Sequence, residues 1–445
     1  MSHGMPVEAA NLVRRYYVYS GTYTLGASVI WGINTLFLLD AGLSIGQVFI
    51  ANSAFSLGTF LFEIPTGVVA DTAGRRVSFL FSLVVLATTT VMYVGLAQIG
   101  GGVIAFSVVS ALMGLGFTFY SGAMEAWLVD GVRFHGYEGN LDHVFSRAQM
   151  VGGGAMIIGT IGGGFLGQLD LAIPFVVRAV LLLSLFGMAY RGMHDRGFEP
   201  RRIPAAQIPS EAARIGSAGI RLGWKNPTLR LLIVGAGIQN GFFMWAWYAW
   251  QPYFLELLGR NLVWVSGLVA ALLSLAMMAG NALVEVAMRV CGRRTTLLLA
   301  TGIGFGGAAI GVGAATTFPL ALVFLVLACV AIGIQMPVRQ AFVHEMVPSE
   351  HRATVISFDS MIGGGMSIGG QTGLGALAER NGYSAGYAVG GAVALLAIPI
   401  MWMVRRQDNP SDFYFGRQAG AEATCTPIGL PEVATVAGAA TTEAG

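Results

Sequence analysis

The chain has 445 residues, of which 55% are hydrophobic and only 11% charged, and its formal net charge is +2. Soluble domains carry about 25% charged residues, so this composition, with a mean hydropathy of +0.68, excludes a string of soluble domains and implies a polytopic membrane protein. The net charge is too small to argue for a nucleic-acid partner, and Cys291, Cys329 and Cys425 lack metal or redox spacing.

A helix needs about 20 apolar residues to cross a bilayer. Twelve runs reach that length: 16–39, 45–70, 77–98, 102–129, 147–167, 171–190, 229–255, 262–288, 295–314, 318–343, 353–377 and 384–404. Residues 1–15 form an N-terminal segment without a cleavable signal pattern. The first run ends on Trp31, Asn34, Phe37 and Asp40. In the second, Glu63, Gly67 and Asp71 are spaced by four and share one helix face, with Glu63 about 12 Å deeper than Asp71. A carboxyl at that depth suits proton uptake; holding the bend at Pro65 is the alternative. The fourth run closes on Tyr120, Glu125 and Asp130, and the fifth holds eight glycines between Gly152 and Gly167, which permit close helix packing. Arg178 lies within the sixth, where a long cationic side chain is expected to snorkel to the interface, with ligand binding as the alternative. Residues 191–228 are a polar linker with a surface helix expected near 209–222. The seventh run carries Gln239, Asn240 and Gln251 among aromatics, Trp245, Trp247, Tyr248, Trp250 and Tyr253, which read mainly as an interfacial belt. Gln335 and Arg339 lie in the tenth run, and Asp359 with a second glycine-rich stretch in the eleventh. Residues 405–445 are expected to be a disordered tail.

Cations fix the orientation. With the N-terminus in the cytoplasm, Arg14, Arg15, Arg75, Arg76, Arg133, Arg147, Arg289, Arg293, Arg294, Arg352, Arg405 and Arg406 fall inside, along with the linker, and only Arg260 and Arg380 fall outside. The expectation is a multi-pass inner-membrane protein with both termini cytoplasmic. The chain also repeats itself. Trp31, Asn34, Phe37 and Asp40 recur as Tyr248, Gln251, Phe254 and Glu256; Gly74-Arg75-Arg76 recurs as Gly292-Arg293-Arg294; Met150-Val-Gly-Gly-Gly recurs as Met361-Ile-Gly-Gly-Gly, at offsets of 211 to 218. A parallel repeat of two six-helix halves, 16–190 and 229–404, follows.

The loop Gly67-Val-Val-Ala-Asp71-Thr-Ala-Gly74-Arg75-Arg76, between the second and third runs, closely resembles the corresponding loop of major facilitator superfamily transporters. The resemblance covers nearly residues 15–406 and implies an all-α fold of twelve transmembrane helices. It implies that Gly67, Asp71, Gly74, Arg75 and Arg76 lock a conformation, with Asp71 facing the start of the eleventh helix and Asp130 partnering Arg75. It also implies a central cavity lined by the first, fourth, seventh and tenth helices, which makes Asn34, Tyr120, Gln239, Asn240, Gln251 and Gln335 substrate-cavity candidates, with interhelical hydrogen bonding as the alternative. Glu63 and Asp359 are the candidates for proton coupling. Glu125 and Arg339, at equivalent places in the two halves, are candidates to pair across them when the cytoplasmic side closes; the alternative is that each pairs within its own half, Arg339 with Glu345 or Asp359. The fifth run is similar to the antiporter motif of drug:proton exporters, although Gly159 stands where that motif has proline and the fourth run lacks an intramembrane arginine.

The function implied is secondary active transport of a small organic molecule by alternating access, as proton-coupled efflux from a monomer. A proton-coupled importer of a nutrient or metabolite is the alternative. A membrane-embedded enzyme or a non-transporting sensor belongs to another class. The sequence shows no phosphate-cradling loop, no paired metal ligands and only scattered histidines, so no catalytic residue, metal or cofactor is expected.

Overall fold

The computed structural model of the chain describes residues 5–198, 200, 217, 224–347 and 349–413, with the side chains of 349–354, 356 and 357 left undescribed. The surface helix expected near 209–222, the Arg352 side chain and the tail beyond 413 lie outside this set. Within it the secondary structure is helical apart from one bridge between Arg293 and Phe413.

The first bundle contains α1 (Val7–Ser28), α2 (Asn34–Asp40), α3 (Ile45–Ala73), α4 (Arg75–Gln98), α5 (Val103–Ser121), α6 (Ala123–Phe134), α7 (Asp142–Leu169) and α8 (Ile173–Gly192). The second contains α9 (Pro227–Leu258), α10 (Val263–Ala282), α11 (Val284–Cys291), α12 (Arg294–Ala314), α13 (Phe318–Met346), α14 (Ser349–Leu395) and α15 (Ala397–Arg405). Among the described residues, ten helices are long and apolar enough to cross a membrane.

The expected count of twelve is approximate, for reasons visible at two places; the break of the fourth run at Gly122 leaves it one crossing, Val103–Phe134. The first run is split, because the chain leaves helical geometry between Ser28 and Asn34. The eleventh and twelfth are continuous in α14, whose 47 residues include one non-helical position, Gly382 at φ 82°. A straight helix of that length would run roughly 70 Å, far beyond a hydrocarbon core of about 30 Å. Gly382 is therefore the reversal between two crossings.

Local signals explain several ends. Ser44 caps α3, its hydroxyl accepting from Gln47 N–H while the Gln47 side chain accepts from Ser44 N–H at 3.0 Å. Gly74, at φ 113°, and Gly292, at φ 69°, make the left-handed corners from which the two Arg-Arg pairs start α4 and α12. Inside α3, Pro65 removes one backbone donor, and the Thr66 hydroxyl donates to the Phe62 carbonyl at 2.7 Å.

Apolar side chains gather into separate cores along the chain. One draws almost wholly on residues from Ala9 to Met193, joined by Val263, while three others draw almost wholly on residues from Leu229 onward. The bundles meet where α3 packs on α14, α7 on α10 and α2 on α9. We call the end from which α8 leaves and α9 enters the linker end, and the opposite one the loop end.

The tail departs from expectation at its start. Instead of being disordered from 405, the chain folds Asp408–Phe413 back onto α12. The reason is an unsatisfied helix start: the buried Asp412 carboxylate accepts from Thr295 N–H and from its hydroxyl, each at 2.7 Å.

Candidate functional site

The break between α1 and α2 shapes the site. Residues 29–33 free backbone groups that a helix would have paired. Gln251 of α9 supplies the partners: its carbonyl accepts from Thr35 N–H at 2.9 Å and its amide donates to the Trp31 carbonyl at 2.8 Å. Gln251 is fully buried, so it straps the bundles together and does not border a cavity. Asn34, its repeat equivalent, does border one, donating to Asn52 Oδ1 at 3.1 Å.

Hydrogen bonds between the bundles run from mid-span to the loop end. Thr35 donates to the Tyr248 carbonyl at 3.0 Å, Gly46 N–H to Glu379 at 2.8 Å, and Gln168 to the Asn261 carbonyl at 3.3 Å. Mid-span, Gln371 donates to Ser56 at 3.1 Å. Gly164 and Gly267 let α7 and α10 touch, since a Cβ on Gly164 would sit 2.7 Å from the Gly267 Cα. The loop end is closed.

Two cavities of about 490 Å³ each lie inward of this seam, and Phe243 borders both. The linker-side cavity belongs to the second bundle. It gathers Gln239, Asn240, Gln335, Arg339 and Asp359. Gln335 donates to the Gln239 carbonyl, and Asn240 donates to the Gly363 carbonyl at 2.9 Å. The central cavity draws on both bundles, with Asn34, Asn52, Tyr23, Tyr93, Trp31, Trp247 and Tyr248 on its wall. Tyr120 stacks on Tyr23 at 3.6 Å between ring centroids, one layer behind the wall.

Several expectations change. In this conformation Arg339 takes the partner within its own half: its guanidinium makes two bonds to Asp359, 3.0 and 2.7 Å long. Glu125 is exposed on α6. The cause is geometry, because Asp359 on α14 meets both terminal nitrogens of the planar guanidinium. Arg178 does not snorkel; it is 6% exposed and borders the central cavity. The aromatics of α9 do not form a belt. Trp245, Trp250 and Tyr253 are buried in the core, and Trp247 and Tyr248 face the cavity. On α3, Glu63 accepts from the Ser121 hydroxyl at 3.4 Å.

The loop motif assembles as a cluster within the first bundle. Arg75 bonds Asp71 at 2.6 Å and lies 3.7 Å from Asp130, so the expected Arg75–Asp130 proximity is present. Asp71 is turned to Arg75 in this conformation.

Residues missed in the sequence complete the picture. Asp195, after α8, accepts from Arg76 N–H at 2.9 Å and so caps α4 as Asp412 caps α12. Phe198 lies 5.6 Å from the Arg75 guanidinium, and Phe413 lies 4.2 Å from that of Arg293. The two aspartates are separated by nearly the same offset as the Gly-Arg-Arg loops, a signal available in the sequence.

The family profile of the Major Facilitator Superfamily matches residues 17–284 and 263–433. The uncharacterized MFS-type transporter YxaM of Bacillus subtilis (strain 168) is 23% identical over 171 residues, which is 38% of this chain and 41% of that protein. That match therefore spans under half the length of the curated relative. The nucleoside transporter NupG has a similar fold, with a TM-score of 0.71 at 13% identity over 90% of this chain and 99% of that one. The peptide transporter POT, in complex with sulfate, gives 0.70 at 13% identity over 91% and 96%.

Proposed function

This chain belongs to the Major Facilitator Superfamily and is a multi-pass membrane transporter, and from that premise we propose that it exports a small organic molecule by proton-coupled alternating access. The one-sided seam supports the reading. The bundles are tied at the loop end, while polar residues of the linker-side half surround an open volume. Rocking the bundles about the mid-span would close one end as the other opens.

The linker end is cytoplasmic in this reading, because the arginines concentrate there. Export then begins with loading in the conformation described. Glu63, which lies on α3 and accepts from Ser121, takes up the coupling proton. Asp359 is the second proton carrier: its protonation would release Arg339 into the linker-side cavity.

The test is transport in proteoliposomes loaded with a pH dye. A panel of lipophilic cations, antibiotics, sugars, amino acids and organic acids is added against an imposed pH gradient. Proton movement that appears only with a carried compound is expected. Glu63→Gln should abolish gradient-driven accumulation and keep substrate exchange. Accumulation against a gradient by Glu63→Gln would make Glu63 structural, and a carried compound that moves no protons would overturn the coupling.

A further inference from the structure

Resting on the carrier reading above, we propose that the transported molecule is an organic anion whose acidic head pairs with Arg178 and whose apolar body lies among the aromatic side chains of the central cavity.

Arg178 sits on α8 at 6% exposure and borders the central cavity. Its Nε has no hydrogen-bond partner. The titratable groups acting on it are the hydroxyls of Tyr23, Tyr93 and Tyr248, all on the same wall, and no carboxylate. Among the described residues it is the one charged side chain lining that cavity. The contrast with other withdrawn arginines is sharp: Arg75 holds Asp71, Arg294 holds Glu345 and Arg339 holds Asp359.

A second donor points the same way. Asn52 is 4% exposed on α3, and its Nδ2 is also without a partner. Asn34 donates to Asn52 Oδ1 and thereby leaves that amide's N–H groups for the cavity. Two buried, unpaired donor groups from two helices thus border one space, and one of them is cationic. A cation without a counterion inside a membrane is costly and persists where it serves a ligand or pathway. An acid head removes that cost by pairing with the guanidinium and by accepting from the amide.

The rest of the wall selects the body. Trp31, Phe55, Phe117, Phe243 and Trp247 surround the cavity, with methionines between them. A volume of about 490 Å³ lies within the range of roughly 300–1,000 Å³ for small-molecule sites. Aromatic faces would equally receive a cation, but Arg178 repels one. A carboxylate or sulfonate on an apolar or aromatic frame satisfies both parts of the wall.

The test uses the full chain in lipid nanodiscs, with binding read from quenching of Trp31 and Trp247 and from thermal stabilisation. The probes are phenylalkanoates of increasing chain length, each with its neutral amide and its amine counterpart. At least one acid should bind more tightly than both counterparts. Arg178→Met should weaken that acid by roughly 10- to 100-fold, the range for a hydrogen bond to a charged group, and Arg178→Lys should recover part of it. Should Arg178→Met fail to fold, Asn52→Asp decides: the isosteric change gives Arg178 a competing carboxylate and should weaken the acid while sparing the amide. Amides or amines binding as tightly as acids, acids unaffected by these changes, or no acid binding up to millimolar concentration would each overturn the proposal. An acid that binds but is not carried in proteoliposomes removes the carrier reading and keeps the site. A carried cation with no acid bound removes the anion and keeps the carrier.

Discussion

Arg339 and Asp359 face the linker-side cavity as a bidentate pair, 23% and 17% exposed. Removing one partner leaves an uncompensated charge in a partly dry site, so Arg339→Gln and Asp359→Asn should each destabilise the protein. The cost is about 1–3 kcal/mol, below the full value for a buried pair because water reaches both groups. Combined in one chain, the two changes should cost clearly less than their sum, with a coupling of roughly 1–2 kcal/mol in denaturant unfolding. Glu125→Gln should add to Arg339→Gln without coupling. Stronger coupling to Glu125 than to Asp359 would sink the assignment. Asn34 and Gln251 show how much of a residue's role the chain order carries. Their equivalence in the repeat is visible in the sequence, and the structure still puts one on a cavity wall and the other in a strap. The difference comes from the break after Ser28, which lies in the first bundle alone.

Helices α7 and α10 touch through Gly164 and Gly267, where a side chain would collide with backbone. Gly164→Val should therefore hold the loop end apart. A cysteine placed at Asn261 should become readily labelled from the loop side, and transport should fall while the protein still folds. Unchanged labelling would mean that the seam closes elsewhere. The glycines were legible as a packing stripe, but their partner helix was not. At the other end of the bundles, Asp195 and Asp412 cap α4 and α12. Asp412→Ala should cost about 0.5–2 kcal/mol, as for loss of a helix cap, read as a lower unfolding midpoint. Truncation after Arg406 should cost at least as much, since it also removes Asp408, the partner of Arg293 at 3.0 Å.

The molecule as a whole is two helical bundles tied from mid-span to the loop end, with one cavity lined by both and another in the linker-side half of the second bundle. Its orientation in the membrane is tested by reporter fusions. An alkaline phosphatase fused at Lys225 should be inactive and one fused at Gly382 active, because the arginines cluster at the linker end. Phosphatase activity at Lys225 would reverse the topology and with it the proposed direction of transport.

Membrane residence, the approximate number of crossings, the repeat and the family were all set by order along the chain. Hydrocarbon thickness imposes run length, and charges must sit where water is, so one-dimensional spacing suffices for these. Which side chains share a space was decided only in three dimensions. Arg178 reads as an interfacial cation when depth along its helix is the one coordinate considered; the rotation of α8 about its axis turns it into the central cavity. Arg339 takes Asp359 over Glu125 because both border the linker-side cavity of the second bundle, where their side chains meet at 2.7 Å. Helix rotation and tilt are fixed by the packing of many small contacts, and a shift of a few ångströms changes every partner in a cavity.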